Sequence, residues 1–130
     1  MDNLDKLLKR IENNYVNKDK REKHELVIKD HTYEVVTLTR SERFDLFFSQ
    51  TINSKDAREV YKWLKPFIYK SLQLKDLAIK AKEEGYINSY LEVVDMLFET
   101  NEIQTIIEFI LKINNLGKIK YEAIEAQKKQ

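Results

Sequence analysis

Glycine and proline are scarce in this chain, which has 2 glycines and 1 proline among its 130 residues. β-Sandwiches and α/β enzymes place glycine at tight turns and in phosphate loops, because glycine alone adopts positive φ angles without steric cost. With only Gly85 and Gly117 available, the chain cannot form a GxGxxG, P-loop or GxSxG motif. The sequence therefore predicts a mainly α fold without nucleotide chemistry of the glycine-loop kinds.

The rest of the composition favours a single domain and is compatible with a reducing compartment. Cysteine is absent, so disulfides and thiolate metal sites are excluded. No apolar run approaches the roughly 18 residues of a membrane span, and the first residues lack a signal-peptide core. We therefore expect a soluble, unsecreted protein with no membrane partner. The formal net charge of +1 provides no long-range attraction to nucleic acid.

The first 23 residues predict a helix and a charged linker. The apolar residues of this helix follow the i, i+3, i+4 spacing of an amphipathic face, and they are Leu4, Leu7, Leu8, Ile11 and Tyr15. The polar run "NKDKREK" at 17–23 then predicts a solvent-exposed linker. We expect a helical domain over residues 24–117, followed by a flexible or partner-ordered tail over 118–130.

Residues 24–39, "HELVIKDHTYEVVTLT", change to the two-residue period of strands and are rich in β-branched side chains. They predict one small β-hairpin near residues 25–38, with a turn at Asp30-His31. Its apolar face is expected to contain Leu26, Ile28, Tyr33 and Val35, which are the candidate residues for self-association. Because a lone hairpin is marginal in water, it must pack on the helices or pair with another subunit. We expect such pairing to give a homo-oligomer, at least a dimer at micromolar concentration.

Helix caps divide the middle of the chain. Thr39-Arg40-Ser41-Glu42 has the spacing of a capping box and predicts a helix after it. The apolar face of that helix is expected to contain Phe44, Phe47, Phe48 and Ile52. Ser54 is expected to cap a second helix that Pro66 ends or kinks, followed by a short helix to about Leu72.

The C-terminal half predicts three more helices. The first is expected to stop at Gly85, the second to begin with Asn88 as its cap, and the third to begin with Thr100 as its cap. The last helix is expected to close at Asn114-Asn115 or at Gly117. In total, the pattern predicts a single helical domain of about five to seven helices with one hairpin.

The last two helices carry more apolar residues than one core-facing stripe requires. In the final helix these residues are Ile103, Ile106, Ile107, Phe109, Ile110, Leu111 and Ile113, and they sweep roughly 200°. Ile107 and its neighbours on the wheel should face the core, whereas Phe109 lies about 120° away from Ile103 toward a flank. Two interpretations stay open: the helices are central in the core, or they present apolar surface to a partner or a second copy.

Residues suited to catalysis are few. His24 and His31 are the only histidines, without a carboxylate pair at metal-ligand spacing. The sequence therefore predicts no enzyme, no metal and no cofactor. An alternative function is a small nucleic-acid-binding regulator that uses Lys62, Trp63, Lys65 and Tyr69. At helical spacing such a cluster is more often core with lysines extended outward, so nucleic acid is the weaker prediction.

The order of elements resembles a known family. A hairpin leading into "TLTRSE", a helix, an aromatic-rich middle and the block "YINSYLEVVDMLFETNEIQTIIEFILKINNL" are similar to the tail assembly chaperones of tailed bacteriophages and prophages. The likeness is closest to the short chaperones of contractile-tail, defective-prophage type. It covers roughly residues 26–116 and is most specific at 86–116. The chain departs from the family at Glu99–Glu102, where proline and glycine are common, and in its added residues 1–23.

The resemblance implies a transient, non-enzymatic role. Such chaperones act in the host bacterial cytoplasm, bind the tape measure protein, keep it soluble and help recruit tail tube protein, and they are absent from the mature virion. A helical client gains affinity by burying apolar anchors in a groove, so we expect the surplus apolar side chains to bind it. The candidate partner-binding residues are Leu91, Met96, Phe98, Phe109, Leu111 and Leu116.

Overall fold

A computed structural model describes residues 2–49 and 57–116. Within these ranges the chain forms six helices and one two-stranded antiparallel hairpin in a small, mainly α domain, which confirms the predicted fold class. In chain order the elements are α1 (Asn3–Val16), β1 (Lys23–Ile28), β2 (His31–Val36), α2 (Arg40–Ser49), α3 (Ala57–Ser71), α4 (Lys75–Glu83), α5 (Glu92–Leu97) and α6 (Thr100–Ile113).

Helix α6 lies between two groups of buried side chains. The larger group joins α6, through Ile106 and Ile110, to the hairpin, α3, α4 and α5. The smaller group joins Leu111 to Leu38, Leu46 and Leu64, which come from the segment after β2, from α2 and from α3. Full burial of a leucine-sized side chain stabilises a fold by about 1.5–3 kcal/mol. Most of the apolar surplus of α6 is therefore core.

The hairpin uses the predicted residues, but its turn comes one residue earlier than predicted. Ile28 pairs with His31, so the two-residue turn is Lys29-Asp30, and Lys29 adopts a φ of +54°. The Asp30-His31 prediction was therefore wrong. In this register the Lys29 ammonium lies 3.6 Å from the carboxylate of Glu102, which ties the turn to the first turn of α6.

Helix α2 begins as predicted but packs on the opposite face. The Glu42 backbone N–H donates to Thr39 Oγ1 at 3.3 Å, and the Thr39 N–H donates to Glu42 Oε1 at 2.9 Å, which confirms the capping box. The buried residue of α2 is Leu46, whereas Phe44 and Phe48 are 48% and 56% exposed. Leu46 lies about 200° from either phenylalanine on the helical wheel. The phenylalanines share one face, as predicted, and their rings contact one another, but that face is not the buried one. Ile52 and Ser54 lie outside the described residues.

Helix α3 continues through Pro66, so of the two predicted outcomes, an end or a kink at Pro66, the end is wrong. Proline removes the hydrogen bond to the carbonyl four residues earlier and its ring crowds that carbonyl, and burial of Leu64 and Ile68 on either side holds the helix together. The helix ends instead before Gln73, whose φ is +53°. The Gln73 N–H donates to the Lys70 carbonyl and the Leu74 N–H to the Tyr69 carbonyl, the hydrogen bonds of a Schellman motif.

The other helix ends also follow cap chemistry. Gly85 has a φ of +82° directly after the last turn of α4, as predicted. Helix α6 closes at Asn114-Asn115, the first of the two predicted ends, with Asn115 at a φ of +59°. An asparagine tolerates this left-handed conformation better than most residues. Gly117, the other predicted end, lies outside the described residues.

Two helix starts differ from the prediction. Helix α5 begins at Glu92 and not after Asn88, because the Glu92 carboxylate accepts the Asn88 N–H at 2.8 Å and the chain between them forms turns. Helix α6 is capped by Glu99 and not by Thr100. The Glu102 carboxylate accepts the Glu99 N–H at 2.7 Å, which is one half of a capping box.

Candidate interaction surfaces

Among the described residues, α1 carries a largely exposed apolar surface. Asp2 begins this helix, since its carboxylate accepts the Leu4 N–H at 3.2 Å. None of the residues in α1 is buried. We define the α1 stripe as the apolar side chains Leu4, Leu7, Leu8, Ile11 and Tyr15, which are between 50% and 69% exposed. They span about 100° of the helical wheel, so they form one continuous face.

The linker after α1 is bound tightly to the domain even though α1 is not buried. The Thr37 N–H donates to the Glu22 carbonyl at 2.9 Å, and the Glu22 N–H donates to Thr37 Oγ1 at 2.7 Å. The Arg40 N–H donates to the Lys18 carbonyl at 3.0 Å. These bonds join the linker to the segment after β2 and to the first residue of α2. They fix the point from which α1 projects.

A carboxylate at the start of α2 strengthens this anchor. Glu42 lies 2.8 Å from Arg21 of the linker and 3.2 Å from Lys70 of α3. Burial alone would raise the pKa of Glu42, but the hydrogen bond from the Thr39 N–H and the contacts with Lys70 and Arg21 together hold that pKa below its usual value. Glu42 is therefore ionised near neutral pH and connects the linker, α2 and α3.

The structure separates the residues predicted to bind a client. Phe98 is 6% exposed in the larger core group, and Leu111 is 7% exposed in the smaller one, so neither presents surface to a partner in this conformation. Met96 is 68% exposed. Leu91, Phe109 and Leu116 are partly buried. The client-binding hypothesis thus keeps one largely exposed residue on α5 and loses its two buried members.

Phe109, on the flank of α6, contacts other residues of the same chain. Its ring packs against the larger core group and lies edge-on to the His24 ring of β1, with centroids 6.4 Å apart. Edge-to-face aromatic pairs stabilise the contact by about 0.5–1.5 kcal/mol beyond burial. The flank of α6 that contains Phe109 is therefore an internal contact with the hairpin.

The apolar face of the hairpin also packs within the chain. Ile28 and Val35 are buried in the larger core group, and Leu26 and Tyr33 pack against it. The Tyr33 ring lies edge-on to the Phe98 ring at 5.3 Å. These four residues therefore pack on the chain's own helices. Self-association through the hairpin remains a prediction that would depend on its strand edges.

The basic and aromatic residues considered for nucleic acid are partly engaged elsewhere. Lys65 Nζ lies 2.7 Å from Asp95 Oδ2, and the Tyr61 hydroxyl donates to Asp95 Oδ1 at 2.6 Å. Burial and this hydrogen bond raise the pKa of Tyr61. Trp63 and Tyr69 are partly buried, whereas Lys62 is exposed. The charge of Lys65 is neutralised by a carboxylate that joins α3 to α5.

Two shallow grooves lie where the linker, α2 and the end of α6 meet. A polar groove of about 430 Å³ is lined by Asn17, Lys20, Glu22, Thr37, Arg43, Ile113, Asn114 and Asn115. A more apolar groove of about 240 Å³ is lined by Arg40, Arg43, Phe44, Phe47, Phe48, Asn114 and Leu116. The grooves share Arg43 and Asn114, and the guanidinium of Arg43 donates to the Leu38 carbonyl at 2.7 Å. Arg43 and Asn114 therefore also serve the fold.

Metal-ligand grouping and helix apolarity further characterise the described residues. Within residues 2–49 and 57–116, no three His, Asp or Glu side chains are grouped closely enough to hold a metal ion. None of the helices in this part of the chain combines the length and apolarity needed to cross a bilayer. Comparisons of the chain with protein-family models, with curated proteins and with solved structures give no match.

Proposed function

We propose that this chain is a non-enzymatic tail assembly chaperone of a tailed bacteriophage or prophage. The family rests on the resemblance of residues 26–116 described above. The structural observation that supports a binding role is the α1 stripe, a continuous apolar face that no part of the described domain covers. Amphipathic helices recognise one another through such i, i+3, i+4 and i+7 anchors.

In this role the chain binds the tape measure protein, keeps it soluble and helps recruit tail tube protein around it. The tape measure protein is the client in the proposal. Such a protein is long and helical in the family that the chain resembles, so it offers repeated amphipathic faces. The chaperone acts in the host bacterial cytoplasm and is absent from the mature virion.

The exposed fractions of the apolar side chains favour α1, and not α6, as the proposed client contact. Ile106, Ile110 and Leu111 are buried in the core, so α6 has little apolar surface left for a client. Leu8 and Ile11, in contrast, are 62% and 64% exposed in the middle of α1. Anchors buried at the centre of an interface usually dominate its affinity. We therefore assign the main client contact to these two residues.

Co-expression with the candidate client tests the proposal. The client to be tested is the long, helix-rich protein that the proposal expects the downstream gene to encode, and its soluble fraction is measured with and without the chaperone. We expect the wild-type chain to keep it soluble and the double variant Leu8→Ser/Ile11→Ser to lose at least about 90% of that effect, since hot-spot truncation typically costs 2 kcal/mol or more.

A matched double variant on the opposite face of α1 is the control. Lys6 and Asn13 lie about 180° from the middle of the α1 stripe, so Lys6→Ser/Asn13→Ser should keep the client soluble. The proposed function is overturned if the wild-type chain fails to solubilise the client. If the stripe and control variants solubilise the client equally well, the chaperone role stands and the assignment of the client contact to the α1 stripe is wrong.

A further inference from the structure

The spacing of the α1 stripe suits pairing with one other helix. Leu4, Leu8, Ile11 and Tyr15 are separated by four, three and four residues, the alternation found along the seam of two packed helices. Leu7 widens the stripe on one side. Because α1 has 14 residues, its length is about 21 Å, and two heptads are too few for a stable coiled coil by themselves. The α1 stripe is therefore suited to bind one short segment of a longer helix in a partner.

The two edges of the stripe differ in charge. Asp5 and Glu12 lie about 85–105° from its middle on one side, and Asn3 and Asn14 lie at similar angles on the other side. Both carboxylates are exposed. No ion pair within residues 2–49 and 57–116 involves either of them. One edge of the stripe is therefore acidic, and the other carries the amides of Asn3 and Asn14 together with Arg10, which lies about 115° from the middle.

This asymmetry argues against a second copy as the occupant. In an antiparallel pair of α1 helices, Asp5 of one copy would lie beside Glu12 of the other, and like charges at a helix interface favour separation. In a parallel pair, Glu12 would lie beside Leu7 of the other copy, and Arg10 of that copy would lie farther from the seam than Leu7. Neither arrangement places a cation directly beside Asp5 and Glu12 along the seam.

A lipid surface also fits poorly. Helices that bind anionic membranes carry an excess of Lys and Arg on their polar face. In α1, Lys6, Lys9 and Arg10 are opposed by Asp5 and Glu12, and Asp2 caps the helix. The charges nearly cancel, so the helix has little electrostatic attraction to anionic lipid.

We propose that the α1 stripe binds an amphipathic helix of another protein whose own apolar stripe is bordered by Lys or Arg along the edge that meets Asp5 and Glu12. This inference rests on the proposed function in taking a helical client as the ligand, and it adds the charge that the client must carry. Opposite charges along the edges of paired helices set partner choice and orientation. The acidic edge is thus a specificity determinant beside an apolar contact.

Synthetic helical peptides test this inference with the full chain. Two 21-residue peptides share one Leu and Ile stripe and differ only in the residues along one edge, which are lysine in the first and glutamate in the second. We expect the lysine peptide to bind about fivefold to tenfold more tightly at low salt, and the ratio to fall below about twofold in 0.5 M salt because screening weakens exposed charge pairs.

Variants of the chain assign the preference to particular residues. Asp5→Asn/Glu12→Gln should bring the two peptides to within about twofold of each other while leaving binding of both measurable. Leu8→Ser/Ile11→Ser should abolish binding of both peptides. Equal affinity of the wild-type chain for the two peptides, or no binding of either, overturns the inference.

Two further ligands test the alternative occupants of the α1 stripe. A peptide with the sequence of residues 1–18 represents a second copy, and phosphatidylglycerol vesicles represent an anionic membrane. Binding of either more tightly than the lysine peptide overturns the inference. The outcome is separable from the proposed function: a lysine preference without effect on tape measure solubility overturns only the chaperone role, and the reverse result overturns only the edge-charge inference.

Discussion

Helices α1 and α6 have the same length, 14 residues, and each has a clear apolar face. In α6, Ile106 and Ile110 are buried, and Leu111 on an adjacent face is buried in a second group of side chains. In α1, no residue is buried. Two helices with similar patterns thus have opposite relations to the core. Periodicity therefore identifies the apolar face of a helix, but it does not show whether that face packs on the chain's own core or on a partner.

The width of the apolar arc reflects how many sides of a helix are covered. Helix α6 has elements on two sides, the hairpin group on one and the α2 and α3 group on the other. Each side requires its own apolar residues, so an arc of roughly 200° is expected for a central helix. The narrower arc of α1, about 100°, suits contact with a single partner.

Matched isoleucine truncations should give the largest difference between the two helices. Ile106 is 0% exposed and Ile11 is 64% exposed. We expect Ile106→Ala to lower the free energy of unfolding by about 2–5 kcal/mol, through lost burial and the cavity that remains. Ile11→Ala should lower it by less than about 0.5 kcal/mol. Urea denaturation of both variants measures the difference, and equal losses would show that α1 is packed in solution.

A buried asparagine at the end of α6 should give the next largest effect. The Leu38 N–H donates to Asn114 Oδ1 at 2.8 Å, and Asn114 Nδ2 donates to the Ile110 carbonyl at 2.7 Å. Asn114→Ala leaves the buried Leu38 N–H without its acceptor, so we expect a loss of about 1–3 kcal/mol in unfolding free energy.

Asn101 provides a matched control for this variant. It is an exposed asparagine in the first turn of the same helix, and Asn101→Ala should change the unfolding free energy by less than about 0.5 kcal/mol. If Asn114→Ala were as stable as Asn101→Ala, a water molecule or a rearranged side chain would be satisfying the Leu38 N–H. The anchor between α6 and the segment after β2 would then be weaker than its distances indicate.

Much of the fold follows from short-range signals in the sequence. The capping box at Thr39 and Glu42, the left-handed Gly85 and the alternation of the hairpin all depend on neighbours within four residues. The errors came where distant contacts decide. Leu46 faces inward, and not Phe44, because Leu38 and Leu111 lie on that side, and α3 continues through Pro66 because its packing compensates for one lost hydrogen bond.

The candidate surface could be predicted less well than the fold. The spacing of Leu4, Leu8 and Ile11 identified an amphipathic face, but only the structure shows that this face is uncovered. The predicted client residues Phe98 and Leu111 were chosen from a wide arc, and both are buried. Apolar residues of core and of interface have the same chemistry, so sequence patterns from one chain cannot separate them.

The anchor of α1 should depend on pH through Glu42. Because the pKa of this carboxyl is lowered in the folded state by its hydrogen bonds and by Lys70 and Arg21, its stabilising effect is complete above the unfolded pKa and is lost as the pH falls through the folded pKa. We expect Glu42→Gln to lower the unfolding free energy by about 1–2 kcal/mol at pH 7. The difference from wild type should shrink progressively below about pH 5.

Urea titrations of wild type and Glu42→Gln at several pH values measure this dependence. Glu108→Gln, at an exposed position of α6, is the control and should show a small difference at every pH. A Glu42→Gln effect that stayed constant down to pH 3 would show that the carboxylate contributes through shape and neutral hydrogen bonds. The ionic connection between the linker, α2 and α3 would then be unimportant.

The smallest effect on stability is expected from breaking α1 itself. Lys9 is exposed near the middle of the helix and lies outside the α1 stripe. Proline in a helix interior costs about 3 kcal/mol of helix stability, so Lys9→Pro should reduce the far-ultraviolet helical signal. The domain's unfolding free energy should change by less than about 0.5 kcal/mol, because no buried contact couples α1 to the core.

Glu108→Pro makes the corresponding break at an exposed position of α6. We expect it to lower the unfolding free energy by about 3 kcal/mol or more. The loss is large because α6 cannot unfold without disrupting the core. The pair of proline variants therefore measures how strongly each helix is coupled to the domain. If Lys9→Pro destabilised the domain by more than about 1 kcal/mol, α1 would be covered in solution by the domain or by another copy. Its stripe would then not be free to receive a client helix, and both the client assignment and the acidic-edge proposal would lose their structural basis.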